Sequence, residues 1–176
     1  MYKRMPDEYR NTFGMQELAN PHLLAKAGYT PGVPTLLWEL MAGSGRLSAT
    51  ARSSAITHLP PIDRRWGHNL SDSFHQVTFL WLLFAFGTQF LFVSPSYSPW
   101  SPTSKASWDY QERHNRQEEE RSALEFTAVL ICFQCLLGRT FVVEQPCKSE
   151  LWSLSPIRFL IDANLGYFQE IDARRR

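Results

Sequence analysis

A glycine-containing turn after an apolar segment limits the fold of this chain more than any other feature. Residues 35–40 are apolar apart from Thr35 and Glu39, a Gly43-x-Gly45 turn follows, and residues 47–52 are rich in helix formers. A strand that passes through a tight glycine turn into a helix leaves the first N–H groups of that helix pointing outward, with the helix dipole behind them. The segment therefore predicts a strand–turn–helix unit with a loop suited to a phosphate or nucleotide. The alternative is a turn that binds no ligand.

Strand-like and helix-like segments alternate along the rest of the chain. Helices are predicted over residues 21–27, 47–52, 74–86, 116–137 and 157–162, strands over residues 35–40, 56–63, 89–93, 140–143 and 167–171, and a loop over residues 94–115. This alternation predicts an α/β fold, with a Rossmann-like, doubly wound and mostly parallel sheet of about five to six strands and helices on both faces. We expect residues 1–34 to form an extension with a short helix, residues 35–172 the domain, and residues 173–176 a basic tail.

Candidate ligand-binding residues follow the predicted strands. Ligands of parallel α/β sheets bind at the carboxyl ends of the strands. Asp63 ends the second predicted strand, 18 positions after Gly45, and acids about 20 residues beyond such glycines accept hydrogen bonds from ribose hydroxyls. Pairing of Asp63 with Arg64 or Arg65 is the structural alternative. The loop from Ser94 to Tyr97 and the acid Glu144 follow later strands.

Composition limits the partners and the compartment. The formal net charge is +1, so nucleic-acid binding would need a local basic patch. Three cysteines make no disulfide framework, which favours an intracellular, reducing compartment, nuclear or cytoplasmic. Cys132 and Cys135 form a CxxC inside a predicted helix, which favours core packing over a metal site. The N-terminus has no apolar core after its basic residues, so no secretory signal is predicted.

One uncharged stretch, residues 76–93, has about the length that a membrane span needs. The sequence Gly87-Thr88-Gln89 interrupts it where a helix-to-strand turn would lie, and no basic cluster flanks it. We therefore predict a buried helix followed by a buried strand, with no membrane partner. A small membrane protein, spanning with residues 76–93 and 122–137, is the alternative.

The ordered series Glu39-x-x-x-Gly43-x-Gly45, Asp63, Ser94-Pro95-Ser96-Tyr97 and Glu144-Gln145-Pro146 resembles the class I S-adenosylmethionine-dependent methyltransferases. The nearest branch is that of the DNA cytosine-5 methyltransferases and their degenerate, mobile-element-like relatives, and the resemblance covers roughly residues 35–155. The resemblance implies S-adenosyl-L-methionine as cofactor. Its binding residues would be Glu39, Gly43, Ser44, Gly45 and Asp63, with Asn69 or Asp72 near the adenine.

The later motifs of the resemblance imply the catalytic residues Ser94, Pro95, Tyr97 and Glu144. In the cytosine-5 branch the fourth-strand loop carries a Pro-Cys pair whose thiolate attacks the base, whereas Tyr97 stands at the cysteine position here. A phenol with a pKa of about 10 cannot replace that thiolate. Ser94-Pro95-Ser96-Tyr97 also resembles the loop of exocyclic amino methyltransferases. There a polar side chain accepts from the target amine and an aromatic ring stacks on an extruded base.

Two functional hypotheses follow from the resemblance. The chain binds S-adenosylmethionine and acts, or once acted, on a nucleic-acid base, with DNA as the expected partner. Alternatively, it is a catalytically inactive remnant of the fold that serves as a binding module or is a mobile-element product. Because exposed sheet edges are commonly covered or paired, we expect a homo-oligomer or a partner chain that completes the sheet.

Overall fold

The computed structural model of this protein describes residues 13–166 and residue 169, without the side chains of residues 105 and 106. Residues 1–12 of the predicted extension, residues 1–34, lie outside the described residues. The predicted strand over residues 167–171, apart from residue 169, and the predicted basic tail, residues 173–176, also lie outside them.

Within that part of the chain, three strands alternate with seven α-helices and two 3₁₀ turns. The strands are β1 (Leu37–Leu40), β2 (Phe90–Val93) and β3 (Thr140–Val143), and the 3₁₀ turns are Arg64–Trp66 and Glu150–Ser153. The helices are α1 (Met15–Leu18), α2 (Pro21–Lys26), α3 (Arg46–Ser53), α4 (Ser73–Phe86), α5 (Pro102–Ser107), α6 (Tyr110–Leu136) and α7 (Ser155–Asp162). The prediction of an α/β fold with parallel strands is therefore confirmed.

The sheet is smaller than the sequence suggested. Its order is β1-β2-β3, all parallel, with Leu37 opposite Phe90 and Phe90 opposite Thr140. The prediction of five to six strands was wrong for the described residues. Residues 56–63 make only two isolated parallel bridges to β1, at His58 and Ile62. The intervening Pro60 and Pro61 have no N–H to donate, so a continuous ladder cannot form there.

The two faces of β1 are covered by different helices. The Trp38 ring lies 6.3 Å from the Phe79 ring of α4, whereas the Glu39 carboxylate accepts hydrogen bonds from Ser48 of α3. Successive side chains of a strand point to opposite faces. Helices α3 and α4 therefore pack on opposite faces of β1.

The prediction of a long loop over residues 94–115 was also wrong. The structure has α5 within it, and α6 begins at Tyr110, six positions before the charged segment at which we predicted its start. Ser101 caps α5, with Pro102 at the first helical position, and Asp109 caps α6 by accepting from the Gln111 N–H. Serine, aspartate and proline favour both loops and helix starts, which is why composition pointed to a loop.

The uncharged stretch over residues 76–93 folds as predicted into a helix and then a strand, but the prediction of a fully buried helix was wrong, because Val77 and Phe84 are exposed. Asp72 caps α4, Gly87 ends it in a left-handed conformation, and β2 follows as the central strand of the sheet. Among the helices of the described ranges, none combines the length and the hydropathy that crossing a bilayer requires.

Buried hydrogen bonds tie the strands together at their amino ends. The Thr35 and Thr88 hydroxyls lie 3.0 Å apart, ahead of β1 and β2. The Gln134 amide of α6 donates to the carbonyls of Thr88 and Thr140, at 3.2 Å each. These three side chains join the beginnings of the three strands and the end of α6 into one buried cluster, which we call the amino-edge cluster.

Candidate functional site

The turn after β1 has an unusual backbone. Met41, Gly43 and Gly45 have φ values of 53°, 58° and 65°. Left-handed φ is accessible to glycine but disfavoured for a side chain such as that of Met41, and strain of this kind concentrates at ligand clamps and active sites. The sequence analysis singled out the two glycines and missed Met41, since nothing in its residue type indicates positive φ.

Asp63 holds this turn in place from the neighbouring segment. Its Oδ2 accepts from the Gly43 N–H at 2.7 Å, and its Oδ1 accepts from the backbone N–H and the Nε of Arg65 at 2.9 and 3.0 Å. The structure thus brings the Asp63 carboxylate to the glycine turn. It also forms the alternative ion pair with Arg65, so both carboxylate oxygens already accept protein hydrogen bonds.

Glu39 is buried and serves helix α3. Its Oε2 accepts from the Ser48 N–H at 2.8 Å and from the Ser48 hydroxyl at 2.6 Å. The cap position of α3 is Gly45, which has no side chain to offer, so Glu39 satisfies the third N–H of the helix in its place. Burial raises the pKa of Glu39, while the bonds from Ser48 act in the opposite direction. Glu39 therefore fixes α3 to β1 from beneath the turn.

Two side chains of the 3₁₀ turn after Asp63 lie over the glycines. A Cβ placed on Gly43 would be 3.0 Å from Nη2 of Arg65, and one on Gly45 would be 3.2 Å from Cη2 of Trp66. Gly45 is therefore required by close approach as well as by φ, whereas at Gly43 the neighbouring guanidinium can move and φ is the constraint. In the described part of the chain, the backbone N–H groups of Ser44 and Arg46 meet no protein acceptor, so this end of the turn retains donors for a ligand.

Asn69 belongs to the connection between Asp63 and α4. Its Oδ1 accepts from the Ser71 N–H at 3.0 Å, and its own N–H donates to Nδ1 of His75 at 2.8 Å. The nearby His68 accepts from the Asp63 N–H through Nδ1 and contacts the Phe13 carbonyl through Nε2. Burial lowers the pKa of His68, which agrees with a neutral ring that accepts at one nitrogen. The sequence analysis missed His68.

The loops after β2 and β3 lie at the same edge of the sheet as the glycine turn. The Ser94 N–H donates to the Leu40 carbonyl at 3.2 Å, and the Glu144 N–H donates to the Val93 carbonyl at 2.9 Å. The buried Pro95 accepts at its carbonyl from the Gln145 side chain, which joins the two loops. Tyr97 is 62% exposed and Glu144 is also exposed, so neither side chain is fixed by burial.

Helix α6 clamps the loop after β2. The Pro99 carbonyl accepts from Nε of Arg113 at 3.1 Å and from the side-chain amide of Gln117 at 2.9 Å. Nε1 of the buried Trp100 donates to Oε2 of Glu120 at 3.0 Å. Burial raises the pKa of Glu120 to about 7, with opposing contributions from the Trp100 bond and from nearby arginines. Glu120 was missed because only the fold brings it to Trp100.

The larger of the two cavities described lies at the other edge of the sheet. It has a volume of about 600 Å³ and is lined by residues near the amino ends of the strands, including Tyr29, Thr35, Arg52 and His58. Burial raises the pKa of Tyr29 and lowers that of His58. The predicted site residues at the carboxyl edge are therefore separate from this cavity.

The CxxC cysteines pack within α6. Cys132 and Cys135 are half-buried, and burial raises the pKa of both thiols. Within the described residues, no group of three or more His, Cys, Asp or Glu side chains is arranged to hold a metal ion.

No protein-family model, curated protein or solved structure matches this chain. The resemblance to methyltransferases therefore rests on the sequence motifs alone.

Proposed function

We propose that the turn after β1 binds S-adenosyl-L-methionine and that the protein is methyltransferase-like, derived from a nucleic-acid base methyltransferase, with weak or lost transfer activity. The observation that carries this proposal is the strained turn itself. Its residues Met41, Gly43 and Gly45 take positive φ, and the Asp63 carboxylate orders it through the Gly43 N–H. A turn so constrained is preorganised for a ligand that approaches its backbone closely.

The topology supports this location. The chain leaves β1 for residues 58–62 on one side of that strand and then crosses to β2 on its other side. In open α/β sheets, ligands bind at the carboxyl ends of the strands where the strand order reverses in this way. The glycine turn and the Ser94–Tyr97 loop flank that position. Ser44 and Arg46 offer backbone donors there, and Arg65 and Trp66 form its cover.

Weak or lost transfer activity follows from the second loop. Tyr97 and Glu144 are exposed, and Ser94 is the polar side chain nearest the end of β2. The Cys147 thiol is exposed and lies after β3, not in the Ser94–Tyr97 loop. A covalent attack on cytosine C5 thus has no thiolate in the expected position. DNA remains our proposed ancestral partner. The loop best fits methylation of an exocyclic amine, in which Ser94 would accept a hydrogen bond from that amine.

Isothermal titration with S-adenosylhomocysteine tests cofactor binding. We expect heat of binding with the wild-type protein and none with Gly45→Leu, because the new side chain would meet the Trp66 ring. Gly138→Leu is the matched control, since Gly138 also has positive φ, of 67°, but a Cβ there would meet no atom within 4 Å. Absence of heat with the wild-type protein at high micromolar ligand would refute the proposal, as would equal heat with Gly45→Leu.

A non-enzymatic module or mobile-element product is the second candidate. It is favoured by the engagement of both acids, because Glu39 and Asp63 already accept hydrogen bonds from Ser48, Gly43 and Arg65. Incubation with methyl-labelled S-adenosylmethionine and DNA separates the two. Labelled DNA with the wild-type protein but not with Ser94→Ala supports an enzyme. Binding of S-adenosylhomocysteine without any labelling of DNA supports the module.

A further inference from the structure

Helices α4, α6 and α7 each expose large apolar side chains. Large apolar side chains project into solvent from all three helices: Phe74, Val77 and Phe84 of α4, Val129 and Leu136 of α6, and Phe159 of α7. We call these six residues the apolar face. On α4 they follow a spacing of three and seven residues, which places them on one side of that helix.

The members of this surface are linked by contacts. The Phe84 ring packs edge-on against the Phe133 ring, with 5.2 Å between centroids. Phe133 in turn lines a groove between α6 and α7 with a volume of about 330 Å³, together with Leu136 and Phe159. None of the described residues that line this groove is charged. The apolar face therefore contains both a depression and a projecting side chain beside it, since Leu136 is 81% exposed.

The extent of the apolar face reaches the upper end of what a soluble monomer ordinarily leaves in water. The six side chains expose roughly 600 Å² if a full side chain of this size has about 180 Å². The largest apolar patch on a soluble monomer is about 300–600 Å² and is often functional. Pairing two such faces would bury about 1,200 Å², the lower limit of a specific protein–protein interface.

We propose that the apolar face is the interface of a homodimer, in which a second copy of this chain covers it. A two-fold interface must be self-complementary, and a face with both a groove and the projecting Leu136 meets this requirement. The charges agree with this occupant. Helix α4 carries no Lys, Arg, Asp or Glu, and the Arg158 of α7 pairs with Asp162 at 2.9 Å. An anionic membrane surface would require unpaired basic residues along the rim.

This proposal does not depend on cofactor binding. The apolar face lies on three helices and shares no residue with the glycine turn or the Ser94–Tyr97 loop. Loss of dimerisation and loss of S-adenosylhomocysteine binding are therefore separable results.

Sedimentation equilibrium of the purified protein tests the dimer. We expect a concentration-dependent dimer for the wild-type protein, and a dissociation constant raised about 100-fold or more in Leu136→Arg, because an unpaired guanidinium would be buried at the interface. Phe159→Arg should act in the same direction. Both substitutions should leave the monomer fold intact, because both side chains are exposed and a cation is favourable near the carboxyl end of α6. Far-UV circular dichroism checks this.

Tyr110→Arg is the matched control, because Tyr110 is 79% exposed and lies at the opposite end of the 27-residue α6 from Leu136. It should dimerise like the wild-type protein. A wild-type protein that stays monomeric up to about 100 μM would overturn the proposal, as would dimerisation that Leu136→Arg and Phe159→Arg leave unchanged. Binding of a monomeric protein to phosphatidylcholine vesicles, lost in Leu136→Arg, would replace the second copy with a lipid surface.

Discussion

The two edges of the small sheet use buried polar groups in different ways. At the carboxyl edge, Asp63 accepts from the Gly43 N–H of a turn that contains three residues of positive φ, and Glu39 accepts from the Ser48 N–H of α3 after that turn. At the amino edge, the amino-edge cluster joins the beginnings of the three strands, and Gln134 donates to two carbonyls there. The carboxylates order a turn that includes the positive-φ residue Met41, whereas the amino-edge cluster links separate elements of the fold.

This difference suggests what each edge contributes. Strain persists only where the surrounding structure over-determines it, so the acids of the carboxyl edge maintain a geometry that the chain would otherwise abandon. The amino-edge cluster contributes to stability without shaping a loop. Substitutions at the carboxyl edge should therefore alter both ligand binding and stability, whereas substitutions at the amino edge should alter stability alone.

The largest effect is expected for Asp63→Ala. The Gly43 N–H would lose its acceptor and the Arg65 guanidinium its partner. We expect the free energy of unfolding to fall by about 3 kcal/mol, and S-adenosylhomocysteine binding to disappear as the turn relaxes. Urea denaturation and calorimetric titration measure the two quantities.

Asp109→Ala provides the comparison for Asp63→Ala. Asp109 is an exposed cap of α6, so its replacement should lower the free energy of unfolding by about 1 kcal/mol. Asp63→Asn should fall between the two, since an amide oxygen can accept from the Gly43 N–H but cannot pair with Arg65. An Asp63→Ala protein that binds ligand normally would show that the turn does not need this carboxylate.

A smaller effect is expected at the amino edge for Gln134→Leu. The carbonyls of Thr88 and Thr140 would lose a buried donor, which costs about 2 kcal/mol. Part of this loss is offset, because in the described part of the chain the Gln134 Oε1 is itself buried without a partner. Ligand binding should be unchanged. Gln111→Leu, an exposed position on the same helix, should alter stability little.

A Gln134→Leu protein that loses ligand binding while remaining folded would contradict the separation of the two edges. Thermal melts in parallel with the calorimetric titration distinguish such a loss from simple unfolding.

The sequence predicted those elements whose ends carry specific signals. Asp72 and Gly87 delimit α4, and Gly138 follows the end of α6, so these helices and the strands after them could be predicted. Residues 56–63 and 94–115 were misread for a common reason. Proline and serine are favoured in loops, at helix starts and at strand interruptions alike. Only the tertiary context decides which of these structures forms.

The candidate site was predictable in position but not in detail. Strand ends place Glu39, Asp63, Ser94 and Glu144 at one edge, which follows from parallel topology alone. The capping of α3 by Glu39 could not be predicted, because it depends on which N–H group the glycine turn brings within 3 Å. Glu120 could not be predicted either, because its environment is created by Trp100, 20 positions earlier in the chain.

The smallest expected effect concerns Glu120, and it tests whether the carboxyl edge responds to pH. Its pKa is raised from 4.5 to about 7 by burial, so between these values the folded state binds more protons than the unfolded state. Stability from this group is therefore complete below about pH 4.5, declines as pH rises to about 7, and is lost above it.

Glu120→Gln stays neutral throughout. Allowing for partial exposure, we expect it to match the wild-type protein near pH 5 and to be more stable by about 1–2 kcal/mol at pH 8. Urea denaturation at both pH values measures this difference, and Glu119→Gln, at an exposed neighbouring position, should show no such pH dependence. An equal difference between Glu120→Gln and the wild-type protein at both pH values would mean that the Glu120 carboxyl of the folded protein does not titrate between pH 5 and pH 8.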